Sequence, residues 1–198
     1  MLSHRVVIAA ALAGALMLPL AANAQSTLGN KSVPGVCMLS RGAILAGSKV
    51  GQAADARLKQ LAQQAQNQLE TERKPLDQDI QQFRQKAQSM SETERASQQK
   101  ALQERLQAFQ QKAQELKARI QLTRSKAMQR IGAAIDPLVA NIYKQHDCGI
   151  LLDRDTVLGG NPQNDLTDAV TQALDKKMTT ISFNLAPLPK QSSNASGK

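Results

Sequence analysis

Two long apolar stripes constrain this chain more than any other feature. Leu58, Leu61, Ala65, Leu69, Leu76, Ile80, Phe83 and Ala87 recur at steps of three, four or seven. Leu102, Leu106, Phe109, Ala113, Leu116, Ile120, Ala127, Ile131, Ile135, Leu138 and Ile142 follow mostly the same steps. Such spacing puts one apolar face on each of two helices, and a mostly 3–4 alternation marks a coiled-coil seam. Ser89-Met90-Ser91-Glu92-Thr93-Glu94 interrupts the pattern, and Ser91 with Glu94 three residues on reads as a capping box that opens the second helix. Residues 50–146 are therefore expected to form an antiparallel helical hairpin. At about 1.5 Å per residue its helices would be roughly 60 and 80 Å long, more than a small globular domain needs. Pro75 and Pro137 fall inside the pattern without ending it, so a kink is expected at each.

The remaining chain is short of core. Residues 1–24 read as a signal peptide, with Arg5, an apolar run from Val6 to Leu20 and the cleavage signature Ala22-Asn23-Ala24. The run is too short and too broken by Gly14 and Pro19 for a comfortable membrane span. Residues 25–35 read as a flexible lead-in. Val36-Cys37-Met38-Leu39 reads as a strand, and Ala43 to Ala46 as a helical turn with Gly47 and Gly51 as breaks. Asp147-Cys148-Gly149 stops the arm. Ile150-Leu151-Leu152 and Thr156-Val157-Leu158 read as two more strands about a turn at Asp153-Arg154-Asp155. Asp165 or Thr167 can cap a last helix carrying Leu166, Ala169, Val170, Ala173 and Leu174. Residues 183–198, with Pro187, Pro189 and a Ser/Asn/Gly/Lys run, read as a disordered tail. A body made of residues 36–49 and 147–182 holds about 50 residues, near the lower limit for a core that stands alone. Its short strands leave edges that self-association would cover. The expected class is α+β and mostly α, a long antiparallel coiled-coil hairpin arm projecting from a small β-sheet oligomerisation body.

Loss of residues 1–24 removes Arg5 and no acid, so the formal charge goes from +9 to +8. An exported basic protein can meet anionic lipid, anionic glycolipid or acidic polypeptide. Nucleic acid is not expected: the export signal argues against such a partner, and the scarce aromatic side chains argue against base stacking. No catalytic site is expected. His146 is the only histidine after residue 24 and sits at a helix end, and no H-E-x-x-H, C-x-x-C, G-x-S-x-G or phosphate-loop motif occurs. No cofactor or metal is expected either. Cys37 and Cys148 would meet an oxidising compartment. They form either a disulfide, stabilising by about 4–5 kcal/mol in the chain-entropy treatment, or two unbonded thiols in neighbouring strands. Spacing alone leaves both open.

The order of parts resembles the Skp/OmpH family of periplasmic chaperones. An export signal, a strand and a basic helical hairpin are followed by Ile150-Leu151-Leu152-Asp153, Thr156-Val157-Leu158 and Asp165-Leu166-Thr167 opening a last helix. Phe109-Gln110-Gln111-Lys112-Ala113-Gln114 is similar as well, and the likeness covers roughly residues 36–177. The resemblance implies a jellyfish-like homotrimer in the periplasm of a Gram-negative envelope, its hairpins holding unfolded outer-membrane proteins without ATP. A basic motif proposed to bind lipopolysaccharide in the family begins at a lysine matching Lys112. Its paired arginines fall on Leu122 and Thr123, so that site is not carried over. Anionic lipid or lipopolysaccharide remains a candidate partner on charge alone. The rival readings are a structural coiled-coil protein of the envelope and an anionic-lipid-surface binder.

Arg105, Lys112, Arg119 and Lys126 recur every seven residues beside the seam, with Lys117 and Arg124 on its other side. A hairpin turning near Met90 would set Glu70 by Lys112, Asp77 by Arg105 and Asp55 by Lys126, pairs that contribute roughly 0–1 kcal/mol each. Lys117, Arg119 and Arg124 find no acid opposite and are the candidate charged contacts to client or membrane. Leu58, Leu61, Phe83, Leu102 and Phe109 are the candidate apolar contacts. Each is a seam residue first, but two helices lack the layers to cover every apolar side chain.

Overall fold

Ser48 decides where the arm begins. Its backbone N–H ends a short helix by donating to the Ile44 carbonyl at 2.9 Å, and its hydroxyl caps the next helix by accepting from the Gly51 N–H at 3.2 Å. The chain is described here by a computed structural model over residues 31–189. The expected signal peptide, residues 25–30 of the lead-in and residues 190–198 of the tail lie outside the described residues. The two helices joined at Ser48 are α1 (Arg41–Gly47) and α2 (Lys49–Lys86). Gly51 does not break the chain as expected. It lies inside the first turn of α2, where a Cβ would stand 1.7 Å from the Leu45 carbonyl oxygen. Only glycine lets the two helices meet this closely.

The arm is a hairpin of α2 and α3 (Glu92–Gln145), of 38 and 54 residues. Ser91 opens α3 with the expected capping box: its hydroxyl accepts from the Glu94 N–H while the Glu94 carboxylate accepts from the Ser91 N–H. Pro75 and Pro137 both sit within continuous helix. Asp147, at φ +49°, turns the chain out of α3, a left-handed position that Asp tolerates better than most residues.

β1 (Val36–Leu39) pairs in parallel with β2 (Ile150–Asp153), Val36 opposite Ile150 and Leu39 opposite Asp153. The pairing joins the chain just before the arm to the chain just after it. Cys37 and Cys148 are bonded, with Cα atoms 5.8 Å apart. The expected third strand does not form. Arg154–Thr156 is a single 3-10 turn in which the Asp153 carboxylate accepts from the Asp155 N–H and the Thr156 hydroxyl donates to the Asp153 carbonyl. These local bonds take the backbone away from a ladder. Leu158 is left 100% exposed. The other side of β1 is met by one bridge to Asp165, where the Leu166 N–H donates to the Met38 carbonyl at 2.8 Å.

The last helix, α4 (Thr167–Lys177), starts where expected. The Asp165 carboxylate accepts from the Thr167 N–H, and the Thr167 hydroxyl accepts from the buried Ser40 N–H. The core crosses the expected border between arm and body. Val50 and Ala54 of α2 and Ile131, Ile135, Val139 and Ile142 of α3 pack with Leu39, Ile44, Cys37 and Cys148, with Leu166 just before the last helix, and with Val170 and Leu174 in it. The short body thus finishes its core on the base of its own arm. Beyond α4 the expected disordered tail is bound as far as it is described. Residues 178–189 run without regular structure along the arm, and Ala186 is only 8% exposed.

Candidate functional site

The arm offers two kinds of surface, set by how much of the seam is covered. Near the base Leu58, Leu61, Ala65, Leu116, Ala127 and Ile131 are buried. Toward the tip Leu76 is the last buried residue of α2, and α3 buries nothing before Leu116. With only two helices in contact, most seam residues toward the tip stay partly exposed, Leu76 excepted.

This sorts the apolar candidates. Leu58 and Leu61, at 8% and 4% exposure, are seam residues and cannot present themselves to a partner. Phe83, Leu102 and Phe109 are half-buried. Phe83 and Leu102 meet across the hairpin in a shallow cavity of about 340 Å3 lined also by Met90, Gln98 and Arg105. Phe109 lies in the next one, of about 240 Å3, with Leu76, Ala108 and Lys112. Leu106, absent from the expected set, is among the exposed large hydrophobics.

The charged candidates divide as well. The cross-hairpin pairs form two residues further along than expected: Lys112 meets Glu72 rather than Glu70, and Arg105 meets Asp79 at 2.7 Å rather than Asp77. The hairpin pivots one residue later than assumed. Asp77 pairs within its own helix with Arg73, and Asp55 with Lys59 rather than Lys126. The Asp55 carboxyl is held below its ordinary range by the hydrogen bond and charge of Lys59, with Arg124 adding to the effect. Arg124 lines a cavity of about 620 Å3 at the arm's base with Asp55, Lys59, Leu45 and Met128. Lys117 borders an apolar groove of about 390 Å3 made by Ala62, Ala65, Leu69, Ala113, Leu116 and Ile120. Arg119 belongs to neither. It is tied to Glu115 at 3.6 Å and donates to the carbonyls of Ala186 and Leu185. At 3.6 residues per turn, Arg119 lies roughly two-fifths of a turn from the face shared by Lys117 and Arg124.

Among the described residues no group of three or more His, Cys, Asp or Glu side chains is gathered as a metal site, and no helix is long and apolar enough to cross a membrane. The family described as outer membrane protein (OmpH-like) matches residues 35–174. The chain belongs to the OmpH-like family. A crystal structure from Caulobacter crescentus CB15, that of an outer membrane chaperone (OmpH-like), is 34% identical, with a TM-score of 0.77, over 84% of this chain and 98% of that one. No curated protein matches the chain. The matched span runs from β1 through most of α4 and stops before the bound tail, so the OmpH-like family match covers body and arm. The bound tail is the part of the site that sequence reasoning missed. Ile181, Phe183 and Leu185 alternate with Ser182 and Asn184, the period-2 signature of an extended segment with one buried side. The prolines and the polar run that follow mask this signal in the sequence.

Proposed function

We propose that this OmpH-like protein is an exported, ATP-independent holdase that keeps unfolded outer-membrane proteins from aggregating in the periplasm. The observation that carries the reading is the unfinished distal arm. Over residues 92–115 α3 buries no side chain, and Phe83, Met90, Leu102, Leu106 and Phe109 stay within reach of a partner. Scattered, shallow apolar contacts of this kind hold many sequences weakly and release them without an energy source. The exposed Lys117 and Arg124 draw in acidic segments of a client. The description of the Caulobacter relative as an outer membrane chaperone supports the same role.

The active form in this proposal is a homotrimer. β2 has β1 as its partner and presents its other edge, and Ile150 (55% exposed), Leu152 and Leu158 lie bare beside it. An edge strand flanked by exposed aliphatic side chains calls for a covering chain, and further copies of the same body supply it. Three hairpins then enclose a space in which weak contacts add by multivalency. The test is light scattering from a urea-diluted outer-membrane β-barrel protein, with and without the purified mature protein and without nucleotide. Suppressed aggregation at about one trimer per client is the expected result; unchanged aggregation in the presence of the folded oligomer refutes the reading.

A further inference from the structure

After α4 the chain binds its own arm as an extended peptide. The contacts are made mainly to main chain. Arg130 donates to the Ser182 carbonyl at 3.2 Å, and Arg57 Nε to that of Phe183 at 3.0 Å. Arg119 donates to the carbonyls of Ala186 and Leu185 at 3.1 and 3.5 Å. The Ala186 N–H in turn donates to the buried Thr123 hydroxyl at 2.8 Å. That hydroxyl spends its own proton on the Arg119 carbonyl, so its lone pairs are free to receive the strap. Among the described residues, Asn184 is the one strap side chain held by a hydrogen bond, from Arg57 at 2.9 Å.

Four carbonyls and one amide are groups that every polypeptide carries. Guanidinium groups only donate, so the three arginines can read a carbonyl row but not a side-chain code. The sequence requirement is slight: a small residue at the position of buried Ala186, and apolar character at the half-buried Ile181, Phe183 and Leu185. The strap also spans the seam, since Arg57 stands on α2 and Arg119, Thr123 and Arg130 on α3.

We infer that this flank of the arm is a binding site for extended, unfolded polypeptide, occupied in the resting protein by residues 182–188, and that an incoming unfolded chain displaces them. The inference rests on the holdase reading and adds to it a defined site and a built-in competitor. The strap is tethered through α4, so it competes at an effective concentration in the millimolar range. A short peptide loses to such a tether. A long unfolded chain, already held at several points of the distal arm, competes on equal terms. The site would therefore favour long, unfolded chains over short loose segments. Pro187 and Pro189 lack amide protons, which keeps the released strap from pairing readily with a sheet edge.

The test is hydrogen exchange at the Ala186 amide in the full-length protein, alone and with a urea-diluted outer-membrane β-barrel protein whose aggregation is followed in the same samples. The client is expected to speed Ala186 exchange by up to about tenfold while exchange in the base helices stays unchanged. In parallel, Ala186→Arg, which puts a long cation beside Arg119 where only a methyl fits, empties the site. It is expected to tighten client binding by about tenfold, the factor by which a site open one-tenth of the time weakens apparent affinity. Suppressed aggregation with Ala186 still protected overturns the strap proposal alone. Aggregation that the protein does not suppress overturns the holdase reading, and the strap proposal with it.

Discussion

Compare the arm on the body side of Leu116 with the arm beyond it. Both halves carry apolar residues at steps of three and four, and both are helical without interruption. On the body side Leu116, Ala127, Ile131, Ile135, Val139 and Ile142 are buried; beyond it α3 buries nothing for residues 92–115. The sequence pattern is the same and the covering is not. Near the base α1, α4 and the strap lie over the hairpin as a third layer, whereas the distal helices have only each other. Periodicity establishes that a helix has an apolar face; what lies on that face decides whether it becomes core or contact surface.

That contrast can be broken or sharpened by substitution, beginning with the largest expected effect. Replacing Cys37 and Cys148 by Ser opens a loop spanning 111 residues and is expected to cost about 5 kcal/mol in the chain-entropy treatment, measured by urea unfolding against the oxidised protein. Ile131→Ala, at a fully buried base position, should cost about 2–5 kcal/mol in the same measurement. Asp165→Asn removes one partner of the Arg154 pair at 2.8 Å and should cost about 1–3 kcal/mol.

Asp165 also gives the base a pH signature. Burial alone would raise its carboxyl, but hydrogen bonds from Thr167 and the Arg154 guanidinium outweigh this and hold it below its ordinary value. Its contribution is therefore complete above the unfolded pKa of about 3.9 and fades as pH falls through the lower folded value. Unfolding midpoints of the parent should drop over that acid range, and those of Asp165→Asn should drop less. At the tip, the Ser91 hydroxyl and amide likewise depress the Glu94 carboxyl. Acid there should fray the start of α3, seen as faster amide exchange in the first turn, without moving the global midpoint.

Smaller effects belong to the distal arm. Ser91→Ala should cost about 1 kcal/mol of local helix stability, read as exchange over the first turn of α3. Leu106→Ala, at a position 41% exposed, should change stability by no more than about 0.5 kcal/mol while weakening retention of an unfolded client. A loss for Leu106→Ala as large as that for Ile131→Ala would break the comparison, because it would place a third layer over the distal arm of the assembled protein.

Much of this architecture was legible in particular residues. The stripes gave the hairpin, Ser91 with Glu94 gave the start of α3, Val36–Leu39 gave β1, and Asp165-Leu166-Thr167 gave the entry to α4. The failures have physical causes. Thr156-Val157-Leu158 has strand composition, but Asp153 captures the backbone first. Gly51 looks like a breaker, yet it is needed for a close approach of two helices that no local window shows. Arg119 has no acid opposite it across the hairpin; its partners are Glu115, one turn earlier in α3, and carbonyls of a segment far away in sequence. Leu58 and Leu61 share their spacing with the more exposed apolar residues further out and differ in what covers them.

The bond between Cys37 and Cys148 has a topological consequence. It fastens the entrance of the arm to its exit, so α1, α2, the tip and α3 all lie on one covalent ring closed at the sheet. A protease that cuts the exposed distal helices opens the ring once and releases nothing. Both stumps stay joined to each other and to the body until the bond is reduced. The longest and barest part of the molecule is thereby also the part that one cut cannot detach.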